Sequence, residues 1–500
     1  MNSADAILLG IDVGTSSCKV AAFTREAKVV ADETREYSLI VGAPGHVEQS
    51  PDEWWEAIAD AIRATAEKVG PERIAGIGIS GQSWSAIPMD ESGTVLANTP
   101  IWMDTRSESI CQRILGNVSG ERILQVSGNR LSPSYTTAKI VWFQEHHPDI
   151  YDRTAVFLQS NSFIAQRLTG SISMDLSQGY GVHAWDTETG AYDEDLARDL
   201  GIDLSKLPVP VDCHEVVGTV TRAAAGKTGL VEGTPVVAGG LDAACGTLGA
   251  GVMEPGETQE QGGQAGGMSI VSTRPVRDPR LILGRHVVPG RWLVQGGTVA
   301  GGASLRWARD AFGCPDTTFE QISAEAAEVP VGSGGLWFLP YLEGERGPIW
   351  DPKAQGVLFG LRFGVFKPAV WRAVMEGVGY SLLDNVRIAE EAGAEIGEIY
   401  SVGGAASSAV WTQIKADMLG REIFVPQAET ASCLGAAVLA GVGAGVYSSF
   451  GEARGFLGEV QRSYKPIPEN TERYRAGFEI YQQLYRDLRD TMHRAADMAQ

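Results

Sequence analysis

Four times the chain runs a short apolar segment straight into glycines. Ile7–Asp12 enters Val13-Gly14-Thr15-Ser16-Ser17, Val236–Asp242 passes through Gly239-Gly240, Trp292–Val294 leads to Gly296-Gly297, and Ile399–Val402 leads to Gly403-Gly404. A strand that ends in glycines can turn sharply, and its amides can approach a ligand closely because no Cβ stands in the way. Glycine makes up 61 of 500 residues, well above the usual ~7%. The excess clusters after apolar runs, with no fixed period and no linker composition. A chain built this way is α/β, with several strand ends available to converge on one place.

The local order narrows the architecture. Ile7–Asp12 and Val20–Phe23 read as a hairpin, with a third strand around Val29-Val30. Ser50 caps a helix that runs to about Lys68, Pro51 suits its first position, and Glu53 is placed to complete a capping box. Trp54, Trp55, Ile58, Ile62 and Ala66 share one face of it, and Ile74–Ser80 is the next strand. Three strands, a helix and a strand is not the βαβ order of a dinucleotide-binding domain, and the first glycine turn leads into a strand, not a helix. Gly226-Lys227-Thr228 fails as a P-loop because the earlier glycine would fall at Thr221. A second α/β half is expected to begin around Val236, with Asp242 echoing Asp12. Helices follow at Ser304–Phe312, from Pro368 to about Glu391, at Ser408–Leu419 and from Tyr474 to Met498, and Leu434–Val446 reads as a close-packed buried helix.

Length and charge exclude several function classes. A chain of 500 residues exceeds a single core, since cores stop growing at about 250–300 residues. The balance of 41 Lys plus Arg against 62 Asp plus Glu, a net charge of −21, argues against nucleic acid or an anionic membrane as partner. Six cysteines without a C-x-x-C pair, and no signal peptide before Ile7, point to a reduced cytoplasmic setting without thiolate metal sites. Leu434–Val446 is too short to span a membrane.

Three segments carry chemistry. Asp12 beside Gly14-Thr15-Ser16-Ser17 can hold Mg²⁺ through waters while the turn cradles a phosphate; an ordinary polar hairpin would look the same. Asp242 is an isolated carboxylate in a segment otherwise apolar from Val236 to Leu248, suited to a general base or to capping the helix that follows. Gln82, Ser83 and Trp84, with Trp102, Asp104 and Arg106, supply the indoles, amide, hydroxyl and charges that bind a polyhydroxylated molecule; core tryptophans and a surface ion pair are the bland alternative.

Taken together, these segments resemble the FGGY family of carbohydrate kinases, within the wider actin, chaperone and sugar-kinase superfamily. The likeness runs from Ile7 to about Val446. It rests on Asp12–Ser17, Gly81–Ser85, Trp102–Arg106, Gly240-Leu241-Asp242, Gly301–Trp307 and the long signature from Gly403 to Asp417, in family order. It implies two ribonuclease-H-like (actin-like ATPase) domains flanking a cleft: an N-terminal domain over 1–252, a C-terminal ATP-binding domain over 253–448, and a helical extension over 449–500. It also implies ATP and Mg²⁺ as cofactors. Asp242 would be the catalytic base and a substrate contact, with Gln82, Ser83, Trp84, Trp102 and Asp104 also at the substrate and Asp12 on the metal side. Gly14, Thr15, Ser16, Gly263, Gln264, Gly301, Gly302, Gly403, Gly404 and Ala405 would face the nucleotide.

Within the family the nearest likeness is to the xylulokinases, so phosphorylation of D-xylulose is the expected reaction. Another ketose, a polyol such as erythritol, or a sugar acid are the alternatives, and a catalytically silent sugar sensor is the non-enzyme rival. An actin-like or chaperone-like nucleotide switch fits least. Trp84 stands where xylulokinases usually carry histidine, and Gly263-Gln264-Ala265-Gly266 replaces the common Gly-Thr-Ser-Gly of the second phosphate loop. A homodimer is the assembly to test for.

Overall fold

The N-terminal hairpin forms as expected. Ile7–Val13 pairs antiparallel with Ser17–Thr24, which pairs in turn with Val29–Glu36. In the computed structural model, which describes residues 5–427 and 430–498, these strands belong to the first of two seven-stranded sheets. Ile7–Val13 is almost wholly buried because both of its edges are paired and both of its sheet's faces are covered, which is why it reads as an unbroken apolar run. The helix Pro51–Val69 covers one side, with Trp54, Ile58, Ile62 and Ala66 inward. Ser50 Oγ accepts the Glu53 amide at 3.3 Å. The Glu53 carboxylate, however, takes the Ser38 amide at 3.4 Å instead of returning to Ser50, so the expected reciprocal cap is a single one.

The second sheet repeats the plan of the first. Thr258–Gly262, Gly266–Ser272 and Trp292–Thr298 are successive antiparallel neighbours, as are the first three strands of the chain. Ile399–Val402 then runs parallel to Thr258–Gly262, as Ile74–Gly81 runs parallel to Ile7–Val13. A long helix separates the third and fourth strands in each case, Pro51–Val69 in the first and Lys367–Glu391 in the second. Each half therefore carries a glycine turn between its first two strands, at 14–16 and at 263–265.

The second half does not begin at Val236. Val236 pairs with Ile77, and Gly240-Leu241 pairs with Ser80-Gly81, so this stretch closes the first sheet. A strand, glycines and an acid look alike whether they open or close a half, and only strand pairing separates the two. Gly226-Lys227-Thr228 lies in a short helix, Arg222–Thr228, as its failure as a P-loop implies.

Sheet membership also crosses the limits expected from sequence. The helix Ala431–Gly443 follows a strand of the second sheet, yet packs on Ile7–Val13 and Ile74–Gly81 of the first and on the helix Asp242–Gly249. Val460–Tyr464 adds an edge strand to the second sheet, so residues 449–500 are not purely helical. Pro468–Met498 then lays Tyr474, Phe478 and Tyr481 into the core beside the long helix.

The contact of Ala431–Gly443 with its neighbours needs glycine. A Cβ on Gly435 would fall inside the Cys245 carbonyl, and one on Gly10 inside the Cys433 carbonyl. Gly435→Ala is accordingly expected to destabilise the protein by about 3 kcal/mol, because two packed backbones must separate to admit a methyl. Chemical denaturation measures this; a loss below about 0.5 kcal/mol, the range of surface substitutions, would show that the helix has room to shift.

Candidate active site

The two glycine turns face one cleft of about 500 Å³. It is lined by Asp12, Gly14, Thr15 and Ser16 from the first half, by Asp242 and Ala243, and by Gly263 and Gly403 from the second. The first turn is held from behind through its carbonyls. Tyr37 Oη and Gln82 Nε2 donate to Gly14 O at 2.5 and 3.3 Å, Gln49 Nε2 to Thr15 O at 2.8 Å, and the Tyr37 amide to Ser16 O at 3.2 Å. Among the described residues the amides of Thr15 and Ser16 donate to no protein acceptor. A turn with its oxygens tied back and its N–H groups free is suited to an anion.

Two carboxylates share this cleft. Asp12 ends the strand Ile7–Val13; its Oδ1 accepts from Ser80 Oγ at 2.9 Å, and burial lifts its pKa to about 6 despite that bond and the charge of Lys19. Asp242 opens the helix Asp242–Gly249 and its Oδ1 accepts the Ala243 amide at 2.7 Å. Burial, with the nearby negative charge of Asp12 second, pushes Asp242 up to about 7. Asp242 is therefore the first residue of the helix and not its cap, which falls at Leu241 without a side-chain bond, and it lines the cleft. A carboxyl poised near neutrality at the mouth of a cleft can accept a proton, and two close carboxylates attract a divalent cation.

The second turn opens onto an adjoining cavity of about 620 Å³, lined by Gly263, Gln264, Gly302, Gly404, Ala405 and the start of the helix Ala409–Leu419. Leu305, Phe319 and Val410 give it an apolar side. Gly301 is not on its wall; it packs against the backbone at Gly266, while the amides of Gly302 and Ala303 donate to Gly263 O and Gln264 O at 2.8 and 3.1 Å. Gln264 also accepts from Arg306 at 3.0 Å.

The residues expected to meet the acceptor separate into two groups. Trp84 is buried and stacks on Tyr135 with ring centroids 4.0 Å apart, with Tyr180 edge-on at 5.8 Å. Trp84 Nε1 and Tyr135 Oη make no hydrogen bond of normal geometry. Trp102 donates from Nε1 to Thr15 Oγ1 at 3.0 Å, tying this segment to the first glycine turn. Ser83 lies half-buried on the same segment as Trp84. Gln82 and Asp104 are fully buried; Asp104 is structurally committed, whereas Gln82 commits its Nε2 and leaves Oε1 without a partner. Gln82 Nε2 is held by Gly14 O and Gln49 Oε1, and Asp104 accepts the Val47 amide at 2.7 Å and pairs with Arg106 at 2.7 Å. The Asp104–Arg106 pair is thus interior, not the surface pair of the bland reading.

Sequence reasoning did not find Tyr135, Tyr180 or Arg346. Arg346 comes from the second half, its guanidinium 5.4 Å from the Trp102 ring centroid and in no ion pair among the described residues. No motif joins these positions, and no local pattern along the chain marks them.

Comparison with known proteins decides the family. The model for the N-terminal domain of the FGGY family of carbohydrate kinases matches residues 7–249, and the model for its C-terminal domain matches 265–444. The chain belongs to the FGGY family of carbohydrate kinases. The kinase is 32% identical to the xylulose kinase of Bacillus subtilis over 97% of each chain. It superposes with a TM-score of 0.90 on the xylulose kinase of Rhodospirillum rubrum, at 29% identity over 97% of this chain and 100% of the other. It superposes equally well, at 0.90, on the gluconate kinase of Lactobacillus acidophilus, at 26% identity over 97% and 98% of the two chains. These likenesses establish the actin-like ATPase fold and a sugar kinase enzyme.

Sugar kinases of this family use ATP, and Mg²⁺ is typical of them. The residues present suit that metal. Among the described residues no cluster of three or more His, Cys, Asp or Glu forms a cage, and Mg²⁺ is usually held by one or two carboxylates, waters and substrate phosphates. Asp12, with Asp242 beside it, fits this role. Both carboxyls have folded pKa values above their ordinary range, so their contribution to stability is fully present at low pH and is lost as pH rises through about 6 and 7. Added Mg²⁺ is therefore expected to raise the melting temperature clearly at pH 8 and little at pH 5, read by thermal unfolding of wild type and Asp12→Asn. An equal rise at both pH values would disconnect the metal from these carboxylates.

Proposed function

We propose that this kinase transfers the terminal phosphoryl group of ATP to a hydroxyl of a small sugar, with D-xylulose to D-xylulose 5-phosphate as the specific reading. The observation that carries the reaction class is the convergence of Asp242, Asp12 and the free turn amides of Thr15 and Ser16 on one cleft. Asp242 takes the proton of the acceptor hydroxyl as its oxygen forms the bond to the γ-phosphorus, and the bond from that phosphorus to the leaving oxygen of ADP breaks. The turn amides hold phosphate oxygens, and Gly404 and Ala405 border the cavity that suits the adenosine. Mg²⁺ on the Asp12 side would neutralise phosphate charge. Trp84 and Tyr135, both buried, form a stacked aromatic pair with two unpaired polar atoms, a chemistry matched to the C–H face and hydroxyls of a sugar. Six free thiols suit a cytoplasmic setting.

The xylulose reading rests on the relatives named xylulose kinase. A sugar acid is the second reading, favoured by the unpaired guanidinium of Arg346 beside Trp102 and by the likeness to a gluconate kinase.

Two measurements test this. Asp242→Asn is expected to lower kcat by roughly 10²- to 10⁴-fold, the share of a positioned base, while ATP binding by calorimetry persists; near-wild-type turnover rejects the assignment. ADP production with D-xylulose, erythritol and D-gluconate is expected to be highest with D-xylulose. A preference for D-gluconate that Arg346→Gln abolishes selects the second reading, and no sugar-stimulated ADP release overturns the kinase reaction.

A further inference from the structure

Lys139 is the most deeply buried lysine of the first half, with no exposed surface. It lies in the helix Thr136–His146 and makes no ion pair among the described residues. Its ammonium donates to Trp84 O at 2.8 Å and to Ser134 O at 2.6 Å. Burial lowers its pKa to about 7, and the acid acting on it, Asp104, is taken up by Arg106. An aliphatic side chain would fill the same space at less cost. What lysine adds is two simultaneous bonds to carbonyls from segments 50 residues apart in sequence, those of Trp84 and Ser134.

Those carbonyls flank the aromatic shelf. One belongs to Trp84 itself and the other to the residue before Tyr135, the two rings that stack at 4.0 Å with 23° between their planes. Among the described residues Trp84 is also one of five non-glycine residues at positive φ, at +59°, a conformation that costs of order 1 kcal/mol and must be held by its surroundings. A second bond, Thr136 Oγ1 to Ser85 O at 3.1 Å, joins the same two segments.

We propose that Lys139 is a positioning residue of the acceptor pocket. By clamping the backbone at Trp84 to that at Ser134, it fixes the angle of the Trp84–Tyr135 shelf, and hence which acceptor fits. It touches neither acceptor nor nucleotide. The inference rests on the reading above that Trp84 lines the acceptor pocket.

The test is a double-mutant cycle on Lys139→Met and Trp84→Ala, using whichever of D-xylulose, erythritol and D-gluconate the wild type turns over with highest kcat/KM. Lys139→Met is expected to raise the KM for that acceptor about 10-fold or more, to change the order of preference among the three, and to leave the KM for ATP within about 2-fold. In the Trp84→Ala background, Lys139→Met should add little, since both changes spoil the same shelf. Lys139→Gln, which keeps a donor for one carbonyl, should fall between wild type and Lys139→Met. Should Lys139→Met not fold, the acceptor KM of Lys139→Gln decides, and a wild-type value overturns the proposal. An unchanged acceptor KM in Lys139→Met, equal losses toward acceptor and ATP, or additive effects in the cycle overturn it while leaving the acceptor reading intact. A Trp84→Ala enzyme with wild-type KM and preference fails the acceptor reading itself, and the role of Lys139 with it.

Discussion

A helix can press its backbone onto the face of another element only where Cβ atoms are missing, and in this kinase that contact joins the two halves of the chain. The helix Ala431–Gly443 leaves the second sheet, crosses to the first, and presses Gly435 against the Cys245 carbonyl and its own Cys433 carbonyl against Gly10. Cys245 belongs to the helix that Asp242 opens, and Gly10 to the strand that Asp12 ends. One close-packed crossing therefore sets the separation of the two carboxylates and the approach of the second glycine turn to the first. Side chains at these contacts would push the helices apart and open the cleft from its base.

The crossing creates an electrostatic problem that the chemistry then uses. Asp12 and Asp242 are both withdrawn from water, and each is only partly compensated, by Ser80 and Lys19 in one case and by the Ala243 amide in the other. Their raised proton affinities suit a proton acceptor and a site that gains from a cation. The free amides of Thr15 and Ser16 place positive partial charge in the same space, so a protein of net charge −21 still offers a phosphate group a favourable seat. The anion is met by local dipoles, which act over a few ångströms, whereas the surface acids are screened.

The side proposed for the acceptor is organised differently, by burial more than by charge. Hydrogen bonds run backward from the pocket into the core: Gln82 and Gln49 to the phosphate turn, Trp102 to Thr15, and Lys139 to Trp84 and Ser134. Asp104, which its residue type placed among the acceptor contacts, is drawn off by the Val47 amide and Arg106. The groups on this side left without partners among the described residues include Trp84 Nε1, Tyr135 Oη, Gln82 Oε1 and Ser85 Oγ, and the guanidinium of Arg346 forms no ion pair. These atoms hold the unspent hydrogen-bonding capacity of this side.

Sequence alone determined the parts whose chemistry is contiguous. A run such as Ile7–Ser17 contains its own strand, turn and carboxylate, so the phosphate-turn hairpin and the candidate roles of Asp12 and Asp242 could be read from neighbours along the chain. The helix at Ser50–Pro51 was legible for the same reason, although the partner of Glu53 was not, because Ser38 reaches it from another segment. Tertiary structure alone decided that Val236–Asp242 closes the first sheet, through its pairing with Ile77 and Ser80, and that Tyr135, Tyr180 and Arg346 gather around Trp84 and Trp102. Strand pairing and pocket membership are relations between distant residues, and a local pattern of apolar, glycine and acid positions carries no information about which distant surface will come to lie against it.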